Sequence, residues 1–138
     1  AIARLEPGFA PQPVRLEVRT GVGVQLGSMD VYGEAQTGRC SGWIGDLPSA
    51  EIEWTGSSGA LAFMAEGDAD MVIDVVTPSG ERICNDDMGE IDDRAQVVIE
   101  NAAPGVYEVF VGTYFRFEQP RGAALLISQT PFEPNDDF

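Results

Sequence analysis

The chain has 138 residues, 43% of them hydrophobic and 9% aromatic, enough for one domain with its own core and too few for two. Its 23 acidic residues outnumber 8 basic ones, all arginine; the net charge of −15 repels nucleic-acid phosphates and anionic lipid and attracts cations, although solubility alone also accounts for it. Histidine and lysine are absent, which excludes Ser-His-Asp and Cys-His machinery, imidazole metal sites, Schiff-base chemistry and P-loop phosphate binding.

The chain opens at Ala1 with neither methionine nor a charged-then-apolar leader, as a mature exported protein or a numbering convention would give. Residues 1–13 form an extended N-terminal segment, proline-rich from Leu5 to Pro13, with Leu5 and Phe9 as anchors. Val14, Leu16 and Val18 then alternate with Arg15, Glu17 and Arg19, the signature of a half-buried strand. Thr20-Gly21 breaks this run, and Val22, Val24 and Leu26 resume the period, which predicts a hairpin. A strand is expected to start at Met29 to Tyr32.

Further strands are expected at Cys40 to Ile44, Ala50 to Trp54, Ala60 to Ala65, Met71 to Thr77, Glu81 to Cys84, Ala95 to Glu100, Gly105 to Thr113 and Gly122 to Ser128. Turn residues separate them, including Pro78-Ser79-Gly80 and Ala103-Pro104-Gly105. Short β-rich runs with this punctuation predict an all-β fold: one antiparallel β-sandwich or jelly roll over residues 14–128. Residues 129–138 form an acidic, proline-containing tail. Either end is a candidate for contact with a neighbouring subunit. No apolar run approaches the roughly 20 residues of a membrane-spanning helix.

Cys40 and Cys84 are too far apart for a CxxC redox pair and, without histidine, cannot make a standard zinc site. They read as a disulfide or, alternatively, as two buried free thiols. A disulfide would remove about 4 kcal/mol of chain entropy from the unfolded state. It would also place the protein in an oxidising compartment, secreted, periplasmic or on the cell surface.

The run Gly67-Asp68-Ala69-Asp70, followed by the apolar strand Met71 to Val76 and the turn Pro78-Ser79-Gly80, resembles the bacterial pre-peptidase C-terminal domain. Cys84-Asn85-Asp86-Asp87 and the later Gly105-Val106-Tyr107 strand follow in the family's order. Gly38 to Ile44 is similar to a segment of one exported subgroup, in which its cysteine pairs with the one before Asn-Asp-Asp. The resemblance covers roughly residues 38 to 128. It implies a calcium-stabilised jelly roll that assists secretion, adhesion or targeting and has no catalytic site. Asp74 departs from the pattern, standing where an apolar residue is usual, and no protease domain is attached.

Five carboxylates crowd the segment from Asn85 to Asp93, namely Asp86, Asp87, Glu90, Asp92 and Asp93. Such carboxylates repel one another unless solvated or bridged by a cation. Calcium accepts six to eight oxygens in flexible geometry, so these residues, with Asn85, Asp68 and Asp70, are the candidate metal ligands. The bland alternative is a solvated acidic loop. A glycosidase pair of carboxylates is set aside because so few aromatics are present to line a sugar cleft. Trp43 and Trp54 sit at strand ends, where core packing competes with ligand stacking. Tyr114-Phe115-Arg116-Phe117 reads as an exposed aromatic patch suited to a protein interface or, more simply, as local packing.

Two functions fit. One is an exported, non-catalytic, calcium-binding module for adhesion, targeting or accessory binding, with a protein partner. The other is a self-assembling extracellular structural subunit of filament or surface-layer type, a homo-oligomer joined through its ends and sheet edges.

Overall fold

The computed structural model describes residues 1–26, 40–57, 59–86 and 93–134. Among these, eleven strands form: β1 (Ile2–Leu5), β2 (Val14–Arg19), β3 (Val24–Gln25), β4 (Trp43–Ile44), β5 (Ala50–Trp54), β6 (Leu61–Glu66), β7 (Met71–Val76), β8 (Arg82–Asn85), β9 (Ala95–Ile99), β10 (Gly105–Thr113) and β11 (Gly122–Ser128). They build a β-sandwich. The larger sheet runs β1-β5-β10-β4-β3, with β7 and then β8 on the other edge of β10; the smaller runs β2-β11-β6-β9. No helix among the described residues is long and apolar enough to cross a membrane.

Alternation decides which side chains meet between the sheets. Ile52 and Trp54 of β5, Ile73 and Val75 of β7, and Tyr107, Val109 and Val111 of β10 face Phe63, Val97, Leu125 and Ile127 of the smaller sheet. The rings of Phe63 and Tyr107 lie 5.9 Å apart at the centre. The Tyr107 hydroxyl donates to the Ala103 carbonyl at 2.6 Å, which ties the start of β10 to the preceding turn. Trp54 is a core residue, 1% exposed.

Two apolar clusters lie outside the sandwich. Phe110, Val72, Ile44 and Leu26 pack around the Cys40–Cys84 disulfide on the outer face of the larger sheet. Ala62, Met64, Ala124 and Leu126 pack around Phe132 on the outer face of the smaller one. The expected strands from β5 to β11 are present within a residue or two of their expected limits.

Three expectations differ. The hairpin predicted around Thr20-Gly21 does not form: β2 pairs with β11 in the smaller sheet, and β3 with β4 in the larger. The chain crosses between sheets at Gly21, whose N–H bonds to the Val111 carbonyl at 2.9 Å. A Cβ there would sit 2.0 Å from the Gly45 nitrogen, so only glycine fits the crossing. The N-terminal segment adds a strand, β1, lying parallel to β5 in an otherwise antiparallel fold. Finally, both described ends pack on their own chain: Phe9 meets Trp54 edge-on at 6.4 Å, and Phe132 is 4% exposed. The strand expected at Met29 to Tyr32 lies outside the described residues.

Tyr107→Phe keeps the ring and removes one buried hydrogen bond. It should lower the unfolding free energy by about 1 kcal/mol, read as a lower urea midpoint at unchanged slope. An unmoved midpoint would show that the bond contributes nothing.

Candidate aromatic–arginine interface

At one end of the sandwich, residues 114–121 carry the chain from β10 to β11, out of one sheet and into the other. Both ends of this loop are tied to the sandwich. The Tyr114 N–H donates to the Asp70 carbonyl at 2.8 Å, and the Thr113 hydroxyl to the Phe115 carbonyl at 2.7 Å. Thr20 and Arg121 exchange two bonds of 2.8 Å, and Arg19 donates to the Pro120 carbonyl. The Arg116 guanidinium lies 5.2 Å over the Trp43 ring, and that of Arg121 lies 4.6 Å over Phe117 while reaching Asp68 at 3.3 Å.

Trp43 reaches this end because β4 pairs with the last residue of β10. The two strands approach so closely that a Cβ on Gly112 would meet the Trp43 carbonyl oxygen at 1.9 Å. Held in this way, Tyr114 and Phe115 stand edge to face at 5.1 Å, 42% and 63% exposed. A cleft of about 490 Å³, lined mainly by apolar groups of residues such as Val18, Val22, Leu47 and Pro48, meets the loop at Pro120. Leu47 is 76% exposed. The loop that carries the aromatic pair thus borders an apolar hollow through Pro120.

The predicted metal ligands are partly gathered here. The Met71 N–H donates to the Asp93 carbonyl at 2.8 Å, which joins the acidic segment to the Asp68–Asp70 turn. Yet Asp68 pairs with Arg121, and one Asp86 oxygen accepts the Ser41 N–H at 3.0 Å. Asn85 is 5% exposed and donates to the Gln96 carbonyl at 2.7 Å, closing the flank between β8 and β9. Among the described residues, no group of three or more histidine, cysteine or acidic side chains is placed to hold a metal ion. Asp87, Glu90 and Asp92 lie outside them. The part of the interface that sequence reasoning missed is the stacking of Arg116 on Trp43 and of Arg121 on Phe117. No local signal links Trp43 to a loop so distant in sequence.

Nearby, on the outer face of the larger sheet, Asp74 sits opposite Cys84 and is 2% exposed. Both Nε and Nη2 of Arg82 bind its Oδ2, and Arg82 in turn lies 5.2 Å over Phe110. Burial pushes the Asp74 carboxyl above the usual range, and Arg82 opposes the shift. Cys40 and Cys84 are 4% and 2% exposed, and their disulfide is the mark of an oxidising compartment.

Fold and site together define a disulfide-stapled two-sheet β-sandwich with an aromatic–arginine loop at one end. No protein-family model matches the sequence, and no curated protein matches it. Among solved structures, the chain is similar to Aeromonas hydrophila PliG, a periplasmic lysozyme inhibitor of g-type lysozyme, at 12% identity and a TM-score of 0.43, over 92% of this chain and 96% of that one.

Because its folded value is raised, Asp74 holds a proton more tightly in the native than in the unfolded state. Its contribution is complete below the unfolded-chain value of 3.8 and is lost as pH rises through the folded value. The stability of the wild type relative to Asp74→Asn should therefore fall as pH rises above 3.8 in urea titrations. Parallel profiles would contradict this.

Proposed function

We propose that the chain is an exported, non-catalytic module that binds a protein partner through residues 114–121 and the adjoining cleft. One observation carries the reading: Tyr114 and Phe115 are exposed, stack edge to face on each other, and stand on backbone tied by hydrogen bonds in a loop that also carries two arginine–aromatic stacks. Large apolar rings fixed before binding lose little entropy on docking, and aromatic residues with arginine dominate interface hot spots. The disulfide supports export, and the lack of histidine and lysine supports a role without catalysis. Roles in adhesion or targeting would use this same surface.

Calcium binding is a second reading, favoured by the bond between Met71 and Asp93 that brings the two acidic segments to one end. Asp86 and Asp93, with Asp87, Glu90 and Asp92 of the intervening segment, supply the oxygen chemistry that calcium requires. Assembly into a homo-oligomer through the chain ends has less support: β1 already pairs with β5, and Phe132 is already buried.

Benzoylphenylalanine in place of Phe115 should photocrosslink to one discrete protein from the exported fraction of the source cells. The adduct should weaken at least tenfold with Arg116→Ala, which unties the loop, and should be absent when the label replaces Glu81 in the remote β7–β8 turn. Equal labelling at both positions would sink the interface. Separately, about 1 mM calcium should raise Tm by several degrees over a chelated sample. An unchanged Tm would remove calcium and leave the protein-binding reading standing.

A further inference from the structure

Strand β2 lies at one end of the smaller sheet, with β11 as its hydrogen-bonded neighbour. The Thr20 N–H donates to the Arg121 carbonyl at 2.8 Å, which marks that pair as a bonded rung. Bonded and unbonded rungs alternate in an antiparallel ladder, so Val18, Leu16 and Val14 bond in turn to Ala123, Leu125 and Ile127. The backbone N–H and C=O groups of Arg15, Glu17 and Arg19 therefore point the other way, along an open edge. Among the described residues, no second strand and no other hydrogen bond engages them. The side chains there are incompletely covered as well. Val14 and Leu16 pack against the main core but stay half-buried, because no strand stands beside them. On the outer face, Arg15 and Glu17 bond to each other at 2.9 Å with 47% and 76% of their side chains exposed.

Charged side chains commonly keep an open edge from pairing. Here their order makes the edge complementary to itself. Two copies of β2 laid antiparallel about Leu16 set each Arg15 opposite Glu17 of the other copy, on rungs that use the free backbone groups of both residues. Leu16 then faces Leu16 across an unbonded rung, where side chains approach most closely, and Val14 faces Val18. Sliding the register by one pleat repeat to either side sets Arg15 opposite Arg15 or Glu17 opposite Glu17, and like charges so placed repel. Pro13, which falls opposite Arg19, has no N–H and ends the ladder.

We propose that β2 is a self-pairing edge and that its occupant is a second copy of this chain. The product is a two-fold dimer in which the two smaller sheets join into one. Opposite-charge rungs fix its register, and the paired Leu16 side chains cover the apolar flank that each copy leaves open. The net charge of −15 opposes the approach of two copies, so pairing strengthens as salt screens that repulsion. The aromatic loop takes no part in it, and the dimer does not rest on the partner-binding reading above.

Sedimentation velocity of the full chain from about 1 µM to about 1 mM, in about 0.5 M NaCl, should show a monomer–dimer equilibrium that weakens at least about tenfold in about 0.02 M NaCl. Arg15→Glu and Glu17→Arg, each alone, set like charges opposite one another and should each weaken dimerisation at least about tenfold. An equimolar mixture of the two variants restores opposite charges on both rungs and should form a heterodimer about as tight as the wild-type dimer. A wild type that stays monomeric throughout would leave the edge to solvent or to a different protein and would overturn the proposal. So would a mixture no more associated than its separate components. One measurement needs no variant to fold: in the wild type at high salt, the Glu17 amide should exchange hydrogen at least about threefold more slowly at the top of the concentration range than at the bottom. A dimer whose Glu17 exchange ignores concentration pairs through another surface, and the β2 edge would then be ruled out.

Discussion

Strand β10 has hydrogen-bonded neighbours on both edges, β5 and then β4 on one and β7 on the other. That double pairing leaves it little freedom to shift in register. Its inner face supplies Tyr107, Val109 and Val111 to the main core, and its outer face supplies Phe110 to the cluster around the disulfide. The loop that follows inherits this rigidity. Tyr114 and Phe115 are exposed at the end of a strand paired on both edges, which is why they resemble an interface prepared in advance.

Much of this was legible in the sequence, because period-two alternation reports directly which face of a strand is buried. The runs at Ala50 to Trp54 and Gly105 to Thr113 declared themselves in that way. Alternation does not report which strand lies alongside. Val14 to Arg19 and Val22 to Leu26 look like the arms of a hairpin because both alternate and a glycine stands between them. The structure uses that glycine for a crossing between sheets, where the backbone passes against Gly45. The parallel docking of β1 on β5 was hidden for the same reason, since parallel pairing joins segments that share no local turn. The Tyr-Phe-Arg-Phe patch was visible, but its stacking on Trp43 depends on a strand order that spacing cannot encode. Of the candidate metal residues, Asn85 illustrates the limit: its position beside a run of acids suggested a ligand, while strand register directs it inward to bridge β8 and β9.

The charge balance takes on a sharper meaning once the arginines are located. Each arginine among the described residues has an intramolecular partner: Arg4 with Glu53, Arg15 with Glu17 and Glu66, Arg94 with Glu66, Arg82 with Asp74, Arg121 with Asp68, Arg116 with Trp43, and Arg19 with the Pro120 carbonyl. Most of these pairs are exposed and add little stability. Their consequence is long-range: five of these seven arginines are neutralised locally by carboxylates, and the remaining acidic residues far outnumber the other cations, so the field projected into solvent is that of the surplus carboxylates. Such a field speeds encounter with cationic partners and hinders association of two copies of the chain.

Gln96 is where these features converge. Its backbone carbonyl accepts the Asn85 amide that closes the flank of the sandwich, and its side chain holds the backbone of Phe132. Asn85 and Gln96 also stand at either end of the acidic segment, one as the last residue of β8 and the other as the second residue of β9.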